Sequence, residues 1–331
     1  MKPFYSLLLG LLLLLTAHPT RAQIVRVTNG QSLSALIASA TAGITFIVEP
    51  GSYGDLTLTK RVAIIGPGYF LGNSQQATTG SATFGTITFN AGSENSILMS
   101  CAVNSYINIG ANQVAVSRCL AGEIRIGYGQ GQSNVSNITV KQCFVQGAIT
   151  TYVGGTIDVN YSGCMIKNNI VFRNIDYNGT FQGNILYNTV IAVNDNYYGI
   201  VPNYGLHGSA YAVIKNNIAN RIFYSDTKMN VINNVIYSNQ TGLPTSNKVN
   251  QAPSTIFVGN NASSLEGQYM LSANSPAKGA GEGGVDCGAF GGDEPYVIGG
   301  VPSGPIIQEL TVPQVTSGNT INVRVKARVQ N

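Results

Sequence analysis

The chain has 331 residues, of which 44% are hydrophobic and only 10% are charged, and it contains 39 glycines. Disordered chains are rich in charge and poor in apolar residues, so this composition excludes a largely disordered protein. The formal charge of +4 falls to +2 without Lys2 and Arg21 of the N-terminal segment, and no nucleic-acid-binding motif is present. No nucleic acid is therefore expected as a partner.

Residues 1–22 have the three parts of a secretory signal peptide. Lys2 supplies the positive charge, Leu7–Leu15 is the apolar core, and Thr20–Ala22 offers small residues for cleavage. The apolar core is too short to span a bilayer comfortably. Cleavage after Ala22 is expected, with a retained membrane anchor as the alternative. The mature protein is expected to be secreted, to the periplasm, the cell surface or the medium, without a membrane span.

A six-residue pattern recurs beyond this segment: an apolar residue, any two residues, Cys or Asn, and two apolar residues. Its hits are LMSCAV (98–103), VSRCLA (116–121), VKQCFV (140–145), YSGCMI (161–166), FQGNIL (181–186), IKNNIA (214–219) and VINNVI (231–236). The hits lie about 22 residues apart, with short β-branched or aromatic runs bounded by Gly, Asn and Ser. Strands and turns repeating at this period predict a repeat protein in which coils stack as a solenoid.

Stacking explains why Cys or Asn recurs at one position of the repeat. Equivalent residues of neighbouring coils lie roughly 4.8 Å apart, so Asn amides can hydrogen-bond along the stack, while Cys fills the same slot as a small apolar residue. The pattern predicts an asparagine ladder that continues a cysteine ladder. Its expected members are Cys101, Cys119, Cys143, Asn184, Asn217 and Asn234. One coil stays ambiguous, because either Cys164 or Asn169 fits the anchor position.

The longest interval between anchors contains a stretch rich in tyrosine, Asn194–Tyr211. Tyrosine offers a flat apolar ring with a polar tip, which suits stacking on sugar faces. Long loops on rigid scaffolds often carry function. The candidate substrate-binding residues are Tyr197, Tyr198, Tyr204, His207 and Asp195. The alternative is that these tyrosines pack the loop against the solenoid.

Metal and cofactor binding find little support in the sequence. His207 is the one histidine outside the N-terminal segment, and no CxxC or Cys/His ligand spacing occurs among the five cysteines. No metal site and no cofactor are predicted, although calcium stays possible despite the lack of a carboxylate cluster. The cysteines are expected to be structural and mostly reduced, with disulfides between stacked cysteines as the alternative.

Two further segments carry a family resemblance. Ser32–Gly68 contains a short apolar helix pattern, a strand and a Pro-Gly-x-Tyr turn at Pro50–Tyr53, and Leu271–Gly292 contains Ser-Pro-Ala followed by Asp-x-Gly-Ala-Phe-Gly-Gly. Both resemble segments of secreted bacterial right-handed parallel β-helix proteins, the pectin-lyase-like fold. The resemblance implies an all-β, right-handed parallel β-helix solenoid over residues 23–294 with a short N-terminal capping helix. Residues 295–331 are expected to form a linker and a small C-terminal capping β segment, or else a surface attachment.

The resemblance does not decide activity, because this fold hosts lyases, hydrolases, esterases, adhesins and inactive scaffolds. A lyase that acts on a uronic-acid polymer by β-elimination would need a Lys or Arg base, for which the candidates are Lys215, Arg221, Lys167 and Arg173. The alternative is that these are solvated side chains. Few acidic residues and a single histidine favour a glycan-binding or surface scaffold protein whose partner is a cell-wall or environmental polysaccharide. The polysaccharide lyase is the alternative, and catalysis stays open.

Overall fold

The computed structural model describes residues 23–71, 80–128, 134–150, 161–177, 181–187, 189–191, 200–202, 211–222, 230–311 and 323–330. Within these ranges the chain is mostly β, with parallel sheets stacked as a β-solenoid, which confirms the predicted fold class. The predicted signal peptide lies outside the described residues. No helix in the described part of the chain is long and apolar enough to cross a membrane.

The strands are short, as the Gly- and Asn-bounded runs predict. In chain order they are β1 Ile24–Val27, β2 Ile44–Val48, β3 Gly51–Ser52, β4 Leu56–Leu58, β5 Val62–Ile65, β6 Ala82–Phe84, β7 Ile87–Phe89, β8 Ile97–Met99, β9 Ala102–Ile109, β10 Ala115–Ser117, β11 Leu120–Ile126, β12 Val135–Ser136, β13 Thr139–Lys141, β14 Phe144–Val145, β15 Ile149–Thr150, β16 Tyr161–Ser162, β17 Met165–Lys167, β18 Ile170–Val171, β19 Ile175–Tyr177, β20 Phe181–Tyr187, β21 Val190–Ile191, β22 Ile200–Pro202, β23 Tyr211–Lys215, β24 Ile218–Ala219, β25 Asn230–Ile232, β26 Val235–Ile236, β27 Gly304–Thr311 and β28 Arg324–Gln330.

The helices are α1 Leu33–Ser39 and α2 Pro253–Ile256, and short 3₁₀ turns cover Gly259–Asn261, Glu266–Tyr269, Glu282–Gly284 and Ile298–Gly300. Helix α1 begins after Ser32, whose hydroxyl accepts a hydrogen bond from the backbone N–H of Ala35 (3.2 Å). It buries Leu33 and Ile37 in the same core as the first strands. A short helix therefore covers apolar residues at the N-terminal end of the solenoid.

The solenoid has three faces built from two parallel sheets. The first sheet, one face, runs β1-β2-β5-β8-β10-β13-β17-β20-β23-β25, with β12 and β16 beside it. The second sheet supplies the other two faces. Strands β9 and β11 are long enough to run through both of these faces and so join them into one sheet. The first residues of β11 pair with β14 and its last with β15. The first apolar position of each repeat is buried between the faces, as at Leu98, Val116 and Val140.

The chain turns sharply at the corner between the first sheet and the second. The corner residue has a positive φ at Ser100, Arg118, Gln142, Asn168, Asn216 and Asn233, between 52° and 60°. Asn adopts this left-handed conformation more readily than other non-glycine residues, which accounts for its recurrence here. The next residue of each corner, such as Cys119 after Arg118, enters the core.

The C-terminal part departs from the predicted linker. Residues 281–301, which we call the strap, run back along the solenoid from the later coils to the earlier ones. Val297 and Val301 are buried beside Leu71, and Tyr296 is buried beside Tyr69. Residues 295–301 are therefore part of the packed domain, because their apolar side chains have a surface to bury against. Strands β27 and β28 follow as an antiparallel hairpin with a sheet of its own.

Candidate functional site

One surface of the second sheet, on the face formed by the later residues of β9 and β11, combines aromatic, charged and amide side chains. It consists of Tyr106, Asn108, Glu123, Arg125 and Tyr128, and we call it the tyrosine–arginine surface. Strands β9 and β11 are in register here, with Tyr106 opposite Glu123 and Asn108 opposite Arg125. Alternation along a strand sends the isoleucines between them into the core and these residues outward.

Arg125 lies between two tyrosine rings. Its Cζ atom is 3.5 Å from the ring centroid of Tyr106 and 5.4 Å from that of Tyr128, within the range of cation–π contacts. Its Nε donates a hydrogen bond to Glu123 Oε1 at 2.6 Å. Burial lowers the pKa of Arg125, but the contacts with Glu123 and Tyr106 outweigh burial and raise it overall. Tyr106 and Tyr128 remain 38% and 42% exposed, so ring surface stays open to a ligand.

Asn108 adds a buried hydrogen-bond acceptor to this surface. The residue is only 7% exposed, and its Nδ2 donates to Thr88 Oγ1 at 3.2 Å. Its Oδ1 is buried and accepts no hydrogen bond from the described residues. Buried polar atoms are normally paired, because an unpaired one costs about 1–3 kcal/mol. Asn108 therefore carries a buried acceptor beneath this surface that no described residue satisfies.

The candidate catalytic lysines contact the strap. Lys215 forms an ion pair with Glu282. The ammonium of Lys167 lies 2.8 Å from Asp293 Oδ1 and 2.9 Å from Glu294 Oε2, and Lys141 of the preceding coil lies 2.7 Å from Glu294 Oε1. These lysines bind the C-terminal strap to the outer surface of the first sheet.

The pKa of Lys167 is also unsuited to a base. Burial lowers the pKa of its ammonium, but the hydrogen bonds to Asp293 and Glu294 outweigh burial and leave it above its ordinary value. The same contacts lower the pKa of both carboxyls, through Lys167 at Asp293 and through Lys141 and Lys167 at Glu294. A general base works best when its pKa lies near the working pH, so Lys167 is held in its charged form.

The four candidate bases do not converge on one point. Lys167 and Lys215 both pair with Tyr187, one from each side, so they lie two coils apart, about 10 Å. Arg173 is exposed, and Arg221 lies half-buried after β24. Strands β18 and β24, which precede these two arginines, are likewise separated by β21. The register thus places Lys167 and Arg173 on one coil and Lys215 and Arg221 two coils later, and within each coil the two residues lie at or after the ends of strands of different sheets.

The core residue of each corner forms a stack, which we call the corner column. Its members are Cys101, Cys119, Cys143, Asn169, Thr189, Asn217 and Asn234. The Oδ1 atom of Asn169 accepts from the backbone N–H of Cys143 (2.9 Å), and that of Asn234 accepts from Asn217 (2.9 Å). All five cysteines are free and buried. Burial raises the pKa of the Cys164 thiol to about 11 and that of Cys287 to about 12.

The strand pairing selects one of the two candidates in the ambiguous coil and places Asn184, a predicted ladder member, away from the corner. Asn169, not Cys164, stacks with Cys143. Val140 pairs with Ile166, and in both coils the residue that enters the core at the corner comes three positions later. Asn184 lies inside β20, opposite Ala212, and is not at a corner. Thr189 takes its place, and its backbone N–H donates to Asn217 Oδ1 at 2.9 Å. The pattern missed this coil because it required Cys or Asn at the anchor.

The predicted substrate-binding residues Tyr197, Tyr198, Tyr204, His207 and Asp195 lie outside the described residues. Their role stays a prediction. Among the residues that the structure describes, no three His, Cys, Asp or Glu side chains come together as a metal site. The expectation about calcium is likewise left as a prediction.

Neither the tyrosine–arginine surface nor the strap contacts are among the features predicted from the sequence. The signal for the first is the alternation in Tyr106-Ile-Asn108 and Glu123-Ile-Arg125, which places the polar residues on one outward face. For the second, the polar residue before each anchor recurs as Arg118, Gln142 or Asn. Its partners lie far away in the chain, so no spacing marks them.

No family model matches the chain, and no curated protein matches it. Among solved structures, the crystal structure of pectate lyase Pel9A is similar to it, with a TM-score of 0.37 and 13% sequence identity. That similarity covers 82% of this chain and 96% of the other. A likeness at this level assigns no activity, and the β-solenoid rests on the strand pairing described above.

Proposed function

We propose that this protein binds a cell-wall or environmental polysaccharide through the tyrosine–arginine surface, as an exported, non-catalytic β-helix protein. The observation that carries the proposal is the Arg125 guanidinium held between the exposed rings of Tyr106 and Tyr128. The two rings and the guanidinium together make a flat, partly apolar surface on a rigid sheet. Sugar rings present C–H faces that stack on such surfaces.

Polar groups beside the rings match the other half of a sugar. Sugar hydroxyls donate and accept hydrogen bonds, and the partly exposed Glu123 carboxylate and Arg125 guanidinium supply an acceptor and donors beside the rings. Glu123 and Arg125 neutralise each other, so the surface has little net charge. A neutral or weakly acidic glycan therefore fits it better than a densely charged one.

The contacts of the lysines favour binding over β-elimination. A lyase base must lose its proton, whereas the carboxylates of the strap stabilise the charged form of Lys167. The partner of Lys215 is the Glu282 carboxylate of the same strap. These contacts give both lysines a structural role, and they support a glycan-binding protein.

A glycan array of cell-wall polysaccharides tests the proposal. We expect the wild-type protein to be retained on at least one polysaccharide, and Tyr106→Ala and Tyr128→Ala each to weaken retention about tenfold, equivalent to about 1.4 kcal/mol. Tyr106→Phe keeps the ring and should retain most of the affinity. Ile97→Ala serves as the matched control, because Ile97 is 39% exposed on the other sheet.

Unchanged retention in both tyrosine variants, or an equal loss in Ile97→Ala, would contradict a site at this surface. Ultraviolet detection of unsaturated products against a panel of uronic-acid polymers checks the alternative. Product formation by the wild type that Lys167→Met abolishes would establish the lyase instead.

A further inference from the structure

A cavity of about 470 Å³ lies between the strap and the outer surface of the first sheet. Met99, Ser117 and Lys141 line it from the sheet and Arg118 from the corner. The strap contributes Pro295 and Val297 together with the paired carboxylates of Asp293 and Glu294. Cavities of 300–1,000 Å³ are the usual size for small-molecule sites. This one lies at the far end of β11 from Tyr128, so it is separate from the tyrosine–arginine surface.

Arg118 is the unusual residue of this cavity, because it is only 8% exposed and yet pairs with no carboxylate of the described residues. Its Nε donates to Gln142 Oε1 at 3.0 Å and its Nη1 to the carbonyl of Val301 at 3.0 Å. Both acceptors are neutral. Burial lowers the pKa of Arg118, and the nearby charge of Glu294 opposes that effect. A buried charge is costly unless an opposite charge compensates it.

Glu294 compensates that charge only in part, because its carboxylate is engaged by Lys141 and Lys167. Lys141 and Lys167 form ion pairs with Asp293 and Glu294, so these two cations and two carboxylates balance one another. The guanidinium of Arg118 is left as one positive charge beside the cavity. A ligand with a single negative charge would complete the balance.

We propose that this cavity binds a small organic carboxylate. The carboxylate pairs with the Arg118 guanidinium, whose planar donors match its two oxygens. The rest of the ligand lies against Met99, Pro295 and Val297, which form the apolar part of the wall. Two sources supply such a group, a free organic acid or the uronate of a saccharide, and the planar carboxylate is common to both.

Isothermal titration calorimetry with four probes tests the proposal: benzoate and its neutral counterpart benzamide, and galacturonate and its neutral counterpart galactose. We expect at least one acid to bind at least about tenfold more tightly than its neutral counterpart, because hydrogen bonds between two charged groups are stronger than those to a neutral amide or hydroxyl. Tighter binding of benzoate indicates a free organic acid, and tighter binding of galacturonate indicates a saccharide. Equal binding of acid and neutral probes, or no binding by any probe, overturns the proposal.

Two variants locate the site, and a third is the control. Arg118→Gln should weaken binding of the acid about tenfold or more, and Gln142 already occupies the equivalent corner of the next coil with a φ of 55°. Ser303→Trp should block binding by filling the cavity from its exposed rim. Arg61→Gln removes an exposed cation elsewhere and should bind as the wild type does. If Arg118→Gln fails to fold, Ser303→Trp decides, and undiminished acid binding in a folded Arg118 or Ser303 variant refutes the proposal.

Discussion

At the corners that follow β10, β13, β17 and β23, two successive residues bind different parts of the molecule. The second residue belongs to the corner column, and its hydrogen bonds reach the next coil, as from Cys143 to Asn169 or from Asn217 to Asn234. The first residue reaches the strap. Asn216 Oδ1 accepts from the N–H of Glu282, Asn168 Nδ2 donates to the carbonyls of Ala289 and Gly291, and Gln142 Nε2 donates to those of Glu294 and Pro295.

The difference between the two positions is one of sequence separation. Hydrogen-bonded partners within the corner column are 17 to 28 residues apart, whereas the side chains of the outer corner residues bind strap residues 66 to 183 positions away. Corner-column bonds therefore hold each coil to the next. The outer corner residues hold a distant segment across many coils. A shift of one residue along the chain changes a local contact into a long-range one.

The largest effect is expected from breaking the corner column at Asn234. Its Oδ1 accepts from the backbone N–H and the side chain of Asn217, and its Nδ2 donates to the carbonyls of Ile214 and Ile232. Asn234→Leu would leave several buried groups unpaired. We expect the free energy of unfolding to fall by about 3–5 kcal/mol, measured by chemical denaturation.

Cys119→Ala is the matched change in the cysteine part of the same column. Cys119 is fully buried, and its thiol donates only weak hydrogen bonds, to the carbonyls of Ser117 (3.2 Å) and Leu98 (3.8 Å), so its loss removes mainly apolar contact. We expect a cost of about 1–2 kcal/mol. If Cys119→Ala destabilised the protein as much as Asn234→Leu, packing rather than hydrogen bonding would account for the column.

A smaller effect is expected from Asn168→Ala, which removes two hydrogen bonds to the strap (3.0 Å and 2.7 Å). The cost should be about 1–3 kcal/mol, and hydrogen exchange should increase mainly in residues 281–301. Asn137→Ala is the control, because Asn137 has a similar φ (57° against 54°) but is exposed. A loss of stability that both variants share is attributed to alanine in a left-handed backbone conformation. If both variants showed the same exchange pattern, Asn168 would not be holding the strap.

The smallest effect concerns pH. Hydrogen bonds from the lysines hold the pKa of Asp293 below its ordinary 3.8 and that of Glu294 below its ordinary 4.5. A lowered pKa stabilises the folded state above these ordinary values, and the stabilisation is lost as the pH falls through the lowered ones. The wild type should therefore lose more thermal stability between pH 5 and strongly acidic pH than the double variant Asp293→Asn with Glu294→Gln.

Burial raises the pKa of Glu266, so protonation of that carboxyl favours the folded state and acts in the opposite direction. Glu266 is present in both proteins, so the comparison between them isolates the strap carboxylates. Parallel loss of stability in the two proteins would show that these ion pairs add nothing.

The solenoid is predictable from the sequence because a buried apolar position recurs in every coil. The first apolar positions of the pattern, such as Leu98, Val140 and Ile214, are buried as a stacked solenoid requires. The register of the coils is harder to predict. FQGNIL (181–186) satisfies the pattern by residue type, but its last residue, Leu186, pairs with Ile166 and Ile214, which occupy the first position of the pattern. The true corner at Thr189 lacks Cys and Asn, so residue type alone could not locate it.

The candidate sites are less predictable because they depend on contacts between coils. Arg125 stands 19 residues after Tyr106, and only the register of β9 and β11 brings the two together. The cavity beside Arg118 requires the strap, whose place on the first sheet no local pattern in residues 281–301 indicates. Lys167 and Lys215 are candidate bases in the sequence for the same reason, since their carboxylate partners lie 67 to 127 residues away.

The strap has a consequence for how the molecule comes apart. Coils of a solenoid contact only their neighbours, so such chains can unravel from an end, one repeat at a time. Here the hydroxyl of Tyr69 meets that of Tyr296, 227 residues later, and Gly288 binds the backbone carbonyl of Asn216. One continuous segment thus joins an early coil to a late one. Unfolding of the late coils would also break the strap contacts with the early coils. We therefore expect one cooperative unfolding transition, whereas a repeat array without such a strap would show several.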